Sequence, residues 1–387
     1  MRMNPVFANL PTTIFEEMSG RARDAGAINL GQGFPDGDGP EDVRQAAADA
    51  VLNGYNQYPP MRGLPELREA IAAHYALHQA LEIDPAEEIT VTSGATEALA
   101  ASILGLVTPG DEAILIQPAY DAYTPLVRAA GGTPRFVTPA PPEWKLTEAM
   151  LEAAVSDRTR AIIVNSPHNP LGTMLVEDEL TLLAAFCTAH DLVAICDEVW
   201  EHVIFDGHRH RSLLDMPGMR ERTVKIGSAG KIFSLTGWKV GWAIAAPPLL
   251  HAIAKTHQFL TFTTPPNLQS AVAYGLGKSD DYFTEMRAGY QASRDRLAAA
   301  LTNAGYAVQT SAATYFLCID LPASGLSLTD REFCDRLIDE AGVAAIPVSA
   351  FYEEDPVTTI VRLCFAKRNA TLDDAADCLR MARSLFA

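Results

Sequence analysis

The chain has 387 residues, 48% of them apolar; at roughly 150 residues per domain this supports two or three structural units around a sizeable core. Its 30 Lys and Arg against 48 Asp and Glu give a formal charge of −18, which repels phosphate backbones and anionic lipid headgroups and argues against nucleic-acid and membrane-surface roles. The six cysteines show no CxxC spacing and no cluster, and they are expected to be reduced, buried thiols of a cytosolic protein. The first residues, MRMNPVFANLPTTIF, lack the apolar segment of a signal peptide, and no run approaches the ~20 apolar residues that span a bilayer. A soluble, cytoplasmic chain is expected.

Residues before about Gln45 are rich in Gly and Pro and are expected to drape over the rest rather than form a core. From Ile89 onward, short β-branched runs alternate with helical patterns: ITVT, AILIQ, PRFV, AIIVN, LVAIC, TVKIG and VGWAIA. That alternation predicts an α/β unit with a mostly parallel sheet. A long helix from Tyr282 to Asn303, stopped by Gly305, leads into TYFLCIDL, a helix near Asp330 to Glu340, VAAIPV, TIVRLCFA and a last helix. These final hundred residues read as a second, smaller α+β unit.

Ligands of open α/β sheets bind beyond the carboxyl ends of strands. The residues there are rich in chemistry: Ser93, Gly94, Ala95 and Thr96 after ITVT; Pro167, His168, Asn169 and Pro170 after AIIVN; Asp197 and Glu198 after LVAIC; Ser228 and Lys231 after TVKIG. The stretch SAGKIFSLTGWKVGW holds Ser228, Lys231, Gly237, Lys239 and Gly241. Its S-x-x-K-x5-G-x-[KR]-x-G spacing resembles the cofactor-lysine motif of class I aminotransferases. NLGQGFPD, NQYPP, TSGATEAL, NSPHNPLG, CDEVWEH and IVRLCFAK follow the same order as in the pyridoxal-phosphate aminotransferases of fold type I. Within that family, TTIFEEM, TFTTP, AAIPVSAFY and RLCFAK resemble the bacterial methionine aminotransferases and the kynurenine and glutamine aminotransferases most.

The resemblance implies a large domain over residues 45–283 with a mostly parallel seven-stranded sheet between helices. A small α+β domain over 284–387 would complete the fold, and residues 1–44 would form an arm and part of the small domain. It also implies pyridoxal 5′-phosphate as cofactor and a homodimer with shared active sites. Lys231 would hold the cofactor covalently as a Schiff base and carry the proton. Asp197 would pair with the pyridinium nitrogen, which must stay protonated for the cofactor to withdraw electrons. Gly94, Ala95 and Thr96 at a helix start, with Ser228 and Lys239, would bind the phosphate. Asn169 would donate to the phenolic O3′, and Tyr120 would stack on the ring, with Tyr123 a nearby competitor and Val199 on the opposite face. Arg362 would clamp the substrate α-carboxylate, since planar two-point recognition orients the bond to be broken. Gly33 would approach that carboxylate by its backbone, and Tyr58 and Phe262 would reach a partner's site.

Trp200 departs from the family, which usually has a tyrosine donating to O3′ there; an indole N–H donates but cannot accept. Glu198 is expected to be structural. His208 and His210 are assigned to the surface, since no further ligand completes a metal site around them. The reaction expected is transfer of the amino group of a large neutral amino acid to a 2-oxo acid. N-succinyl-diaminopimelate transamination and β-elimination from cysteine conjugates are alternatives using the same residues. An effector sensor built on this fold is disfavoured, because such proteins carry a DNA-binding domain ahead of a pattern that here starts within the first ~30 residues.

Overall fold

The computed structural model describes residues 3–386. The short strand β1 (Ile28–Asn29) lies outside the main sheet. All seven β-branched runs join in that sheet: β2 (Ile89–Thr92), β3 (Glu112–Ile116), β4 (Thr133–Val137), β5 (Thr159–Asn165), β6 (Val193–Asp197), β7 (Thr223–Ser228) and β8 (Gly241–Ala245). Their order is β2-β8-β7-β6-β5-β3-β4, and only β8 runs antiparallel to its neighbours. All but the edge strand β4 are buried on both faces, as helix-covered parallel strands are, whereas Thr133 and Arg135 of β4 are exposed. Period-two alternation sends Leu115, Ile163, Ile195 and Ile226 to one face, where Ala98, Ala101, Leu250 and Ile253 of helices Gly94–Leu106 and Pro247–Leu260 meet them. Ile114, Ile162, Ala194 and Cys196 point the other way, onto Leu180 and Leu183 of helix Glu177–Ala189.

The carboxyl ends of β2, β3, β5, β6 and β7 share one edge with the start of β8, because β8 runs opposite: Thr92 and Ser228 both pair with Gly241, and Asn165 pairs with Asp197. Every loop singled out in the sequence therefore opens on the same side.

After helix Asp280–Asn303, strands β9 (Ala307–Val308), β10 (Phe316–Asp320), β11 (Val343–Ala344), β12 (Ile346–Pro347) and β13 (Ile360–Cys364) follow. Four of them form an antiparallel sheet of order β12-β13-β10-β9 in which Cys318 faces Arg362. Helix Asp330–Ala341 begins at a Thr329/Glu332 capping box and ends at Gly342, whose φ of 69° suits a residue without a side chain.

The amino-terminal residues do more than drape. Thr13 caps helix Ile14–Ala25, Gly26 ends it in the left-handed conformation, and Met18 and Ala22, four apart on one face, enter the core. β1 then pairs in parallel with β11. The Gly- and Pro-rich composition belongs to residues 31–40, and the helix before them has its own caps and apolar stripe. Five cysteines are buried as expected, whereas Cys378 is half-buried; all six are free thiols. Among the described residues no helix is long and apolar enough to cross a membrane.

Candidate active site

A cavity of about 250 Å³ opens at the shared strand edge. Gly94, Ala95, Thr96, Tyr120, Asn169, Asp197, Trp200, Ser228, Lys231 and Lys239 all line it, drawn from six separate stretches of chain. Helix Gly94–Leu106 starts there with no side chain capping it, so the N–H groups of its first turn face an open position. Gly94 has φ +75°, and a β-carbon on it would stand 3.1 Å from Lys239 Cε and 3.3 Å from its Nζ. The glycine thus lets the lysine lie against the helix start. Gly241 does similar work: a β-carbon there would come within 2.7 Å of the Ala95 nitrogen.

Asp197 ends β6, 6% exposed. Its Oδ2 accepts a 2.7 Å bond from the Tyr123 hydroxyl, and among the described residues it makes no ion pair. Burial pushes its pKa up, against the Tyr123 bond and the charge of Lys231. Such a carboxylate is completed by a cation placed against it. Tyr123 therefore supports the carboxylate from behind, and Tyr120 is the tyrosine at the cavity wall, its pKa raised to about 12 chiefly by burial. Asn165 is a second supporting group missed by sequence reasoning: its Nδ2 donates to the Asp197 carbonyl at 2.8 Å and its Oδ1 accepts from the Asn169 N–H at 2.9 Å. The quoted NSPHNPLG contained it, without a signal for this role.

Lys231 occupies the short helix Ala229–Ile232 directly after β7. Burial lowers its amine to about 8, with Asp197 opposing, so its neutral form is accessible near neutral pH. Its Nζ stands 4.5 Å from the centre of the Trp200 ring. At the sequence's point of departure, the structure thus sets an indole face under the lysine.

Arg362 does not line the cavity but stands behind Asn169, to whose Oδ1 it donates at 2.8 Å; it also donates to the Gly31 carbonyl at 2.6 Å. Fully buried, it stacks on Phe316 at 4.0 Å and lies near Phe15 and Phe351. Its Nε has no partner, and burial lowers its pKa to about 10. Gly33 sits over Phe316, where a β-carbon would come within 2.6 Å of the ring. Tyr58 and Phe262 lie outside the cavity of this chain, 80% and 40% exposed and edge-to-face at 5.5 Å.

The histidine assignment needs correction in half. His208 is exposed, but the His210 side chain is only 4% exposed and meets Glu198 Oε2 at 2.6 Å. Glu198, Glu201 and His210 bring ligand atoms within 4.8 Å of one another, an arrangement able to hold a metal ion. The buried Lys225 ammonium already bonds both carboxylates, and it fills the role a cation would have.

Residues 25–379 match the family described as aminotransferase class I and II. The structure superposes on that of N-succinyldiaminopimelate aminotransferase from Mycobacterium tuberculosis with a TM-score of 0.95 and 46% identity, covering 98% of this chain and 100% of that one. The methionine aminotransferase of Escherichia coli is 41% identical over 96% of both chains. The kynurenine–oxoglutarate transaminase of Dictyostelium discoideum is 38% identical over 94% of this chain and 93% of its own. The chain belongs to the class I and II aminotransferases. It is a fold type I enzyme dependent on pyridoxal 5′-phosphate, as that class is.

The residues of this aminotransferase fit the cofactor. The uncapped helix start beside Lys239, Thr96 and Ser228 suits a phosphate dianion, the unpaired buried Asp197 suits a ring cation, and Lys231 with a lowered pKa suits an aldehyde.

Proposed function

We propose that the aminotransferase moves the amino group of a large neutral L-amino acid, such as methionine, glutamine, or an aromatic or kynurenine-like donor, to a 2-oxo acid by a ping-pong sequence. The charge of the cavity wall carries this reading. Lys231 and Lys239 are its only cations among the described residues, and Leu99, Val199, Val240 and Trp200 give it an apolar part. With Lys239 given to the phosphate and Arg362 to the α-carboxylate, a second carboxylate on the donor would find no guanidinium or ammonium within this chain's cavity. N-succinyl-diaminopimelate is the second reading, favoured by the 46% identity to the M. tuberculosis enzyme. A single-turnover screen separates them: purified enzyme is mixed with methionine, glutamine, phenylalanine, kynurenine or N-succinyl-LL-diaminopimelate, and loss of the bound cofactor's visible absorbance is followed. A rate constant over Kd for the succinylated donor at least tenfold above every neutral donor would overturn the first reading.

In the proposed mechanism Arg362 binds the α-carboxylate, its guanidinium fixed edge and face by Asn169, Gly31 and Phe316. When bound, pyridoxal phosphate would supply a carrier for the amino group and an electron sink for the α-carbon. Lys231 Nζ takes that proton from one face and later returns a proton, which its pKa of about 8 allows in both directions. Asp197, oriented by Tyr123, holds a positive charge beside it, and Asn165 fixes the backbone from which Asp197 and Asn169 project. Gly94, Ala95, Thr96, Ser228 and Lys239 anchor the phosphate, Tyr120 stacks on the ring and Trp200 walls the site beside Lys231.

The same proposal includes a homodimer in which Tyr58 and Phe262 enter the partner's site. Their exposure supports it, as do Leu52, Tyr55 and Phe259 at 79%, 70% and 84% exposed, since large apolar groups seldom face water together. We also propose the division at residues 1–44, 45–283 and 284–387, and a cytoplasmic location, which the six free thiols support.

A further inference from the structure

Lys231 sits in a helix of four residues, a single turn with too few hydrogen bonds to hold itself. Three residues on from Lys231, Ser234 takes a left-handed φ of 56°, a conformation a side-chain-bearing residue keeps only where its surroundings impose it. The groups that impose it come from outside the seven-stranded sheet. The Tyr315 hydroxyl donates to the Lys231 carbonyl at 3.0 Å, and the Ser234 hydroxyl lies 2.6 Å from that of Tyr290 on helix Asp280–Asn303. The two tyrosine rings pack with centroids 4.8 Å apart.

We propose that Tyr315 is a positioning residue for Lys231, holding the lysine's main chain from the carboxy-terminal part of the molecule while its ring supports the surface on which the amine rests. The proposal rests on reading Lys231 as the catalytic lysine. Trp200, beneath the Lys231 amine, meets the Tyr315 ring edge-to-face at 4.6 Å. One buried side chain thus touches both ends of the lysine's setting: the carbonyl by hydrogen bond, the indole by packing. Its neighbour in sequence, Phe316, packs on Trp200 at 5.4 Å and on the Arg362 guanidinium at 4.0 Å. Tyr315, immediately before β10, and Phe316, its first residue, therefore contact Lys231 and Arg362 respectively, and a carboxylate drawn to Arg362 bears on the strand end that holds Lys231.

A structural role alone would give Tyr315 the same weight as any buried tyrosine bonded to a carbonyl. The chain supplies such a comparison: Tyr306, 3% exposed, donates to the Leu379 carbonyl at 2.9 Å and lies outside the cavity. The test therefore pairs Tyr315→Phe with Tyr306→Phe, with Tyr290→Phe as a second variant on the same turn. In full-length protein freed of cofactor, the pH dependence of Lys231 acylation, read by peptide mass mapping, reports the amine's pKa. Tyr315→Phe is expected to raise that midpoint by about half a unit or more as the loosened amine gains water, and to lower the amino-acid half-reaction rate constant about tenfold with Kd within twofold, as expected of a misplaced reacting group. Tyr290→Phe should move both in the same direction by less, and Tyr306→Phe should move neither. A wild-type midpoint and rate in Tyr315→Phe, or equal changes in Tyr306→Phe, overturns the proposal; if Tyr315→Phe fails to fold, an unshifted Tyr290→Phe does so. Failure of the underlying assignment is separate, since Lys231→Ala would then retain turnover.

Discussion

Arg362 carries a charge in a place that does not stabilise it. Burial lowers its pKa from 12.5 to about 10, and at about 1.4 kcal/mol per pH unit the charged form at neutral pH costs roughly 3 kcal/mol relative to the unfolded chain. Against this stand two hydrogen bonds from a charged donor, to Asn169 Oδ1 and the Gly31 carbonyl, at about 1.5–3 kcal/mol each. Arg362→Met keeps the side-chain length and packing against Phe316 while removing charge and bonds together. The terms largely offset, so the cofactor-free chain should change stability by less than about 3 kcal/mol. Removing one partner of a buried ion pair would instead cost about 3–5 kcal/mol. Function should respond differently: loss of a desolvated carboxylate contact of about 2–5 kcal/mol lowers the specificity constant roughly 30- to several-thousand-fold. Urea unfolding gives the first quantity and single-turnover kinetics with an amino acid the second. A variant destabilised by more than 3 kcal/mol that retains its specificity constant would refute the reasoning, because Arg362 would then be a structural cation.

Borohydride reduction of the holoenzyme should fix the cofactor on the peptide containing Lys231; label on another lysine removes Lys231 from its role. Lys231→Ala should bind cofactor through the phosphate and Asp197 contacts yet lose about 10²–10⁴-fold in rate, and wild-type turnover would contradict the mechanism. His74 is buried with its pKa lowered to about 3, chiefly by desolvation. The unfolded chain takes up its proton near 6.5 and the folded one does not, so stability is complete above about 6.5 and falls with pH below it, by up to about 1.4 kcal/mol per unit. Chemical unfolding between pH 6.5 and 4.5 should show this slope reduced in His74→Gln; an unchanged slope would exclude His74 as a source. If Tyr58 acts in a partner's site, mixed dimers of Tyr58→Phe and Lys231→Ala chains should regain activity by forming one site with both residues, and confirmed subunit exchange without recovery would count against sharing.

The sheet was legible because its strands are short runs bounded by helices, a pattern that β-structure buried on both faces, as all but the edge strand β4 are, writes directly into sequence. Gly94, Ala95, Thr96, Asn169, Asp197, Ser228 and Lys231 were legible for a related reason: parallel strands aim their carboxyl ends one way, so residues just past those ends converge without any contact being known, whereas Tyr120, Trp200 and Lys239 were legible only through the motifs shared with the family. What stayed hidden depends on direction rather than position. Tyr120 and Tyr123 follow the same strand three residues apart, and only the course of the chain after Pro118 turns one to the cavity and the other to Asp197. His210 lies in the polar run GHRHRS, which reads as surface, yet its side chain is drawn in by Glu198 twelve residues earlier, the carboxylate that also meets Lys225. Tyr315 and Phe316 look like ordinary strand apolars; their contacts cross from one sheet to the other and leave no periodic trace.

The two sides of the β6 end show how the chain separates structure from function by charge. Glu198 faces the reverse side, where Lys225, His210 and Ser212 surround it. Burial alone would raise its pKa, but the neighbouring positive charges outweigh this and hold it at about 2. Glu201 shares Lys225 and accepts from Tyr75 and Gln79 at 2.6 Å each. That cluster satisfies itself, as buried charges must. On the cavity side Asp197 and Arg362 are buried and Lys231 half-buried, yet each has its charged form disfavoured and none makes an ion pair among the described residues. Partners for a cation, an aldehyde and a carboxylate are thus left unmatched in and behind one cavity, and a ligand supplying a ring cation, an aldehyde and a carboxylate gains what folding left unmet. The adjacent residues Asp197 and Glu198 differ in role because one faces groups that neutralise it and the other faces a space that does not.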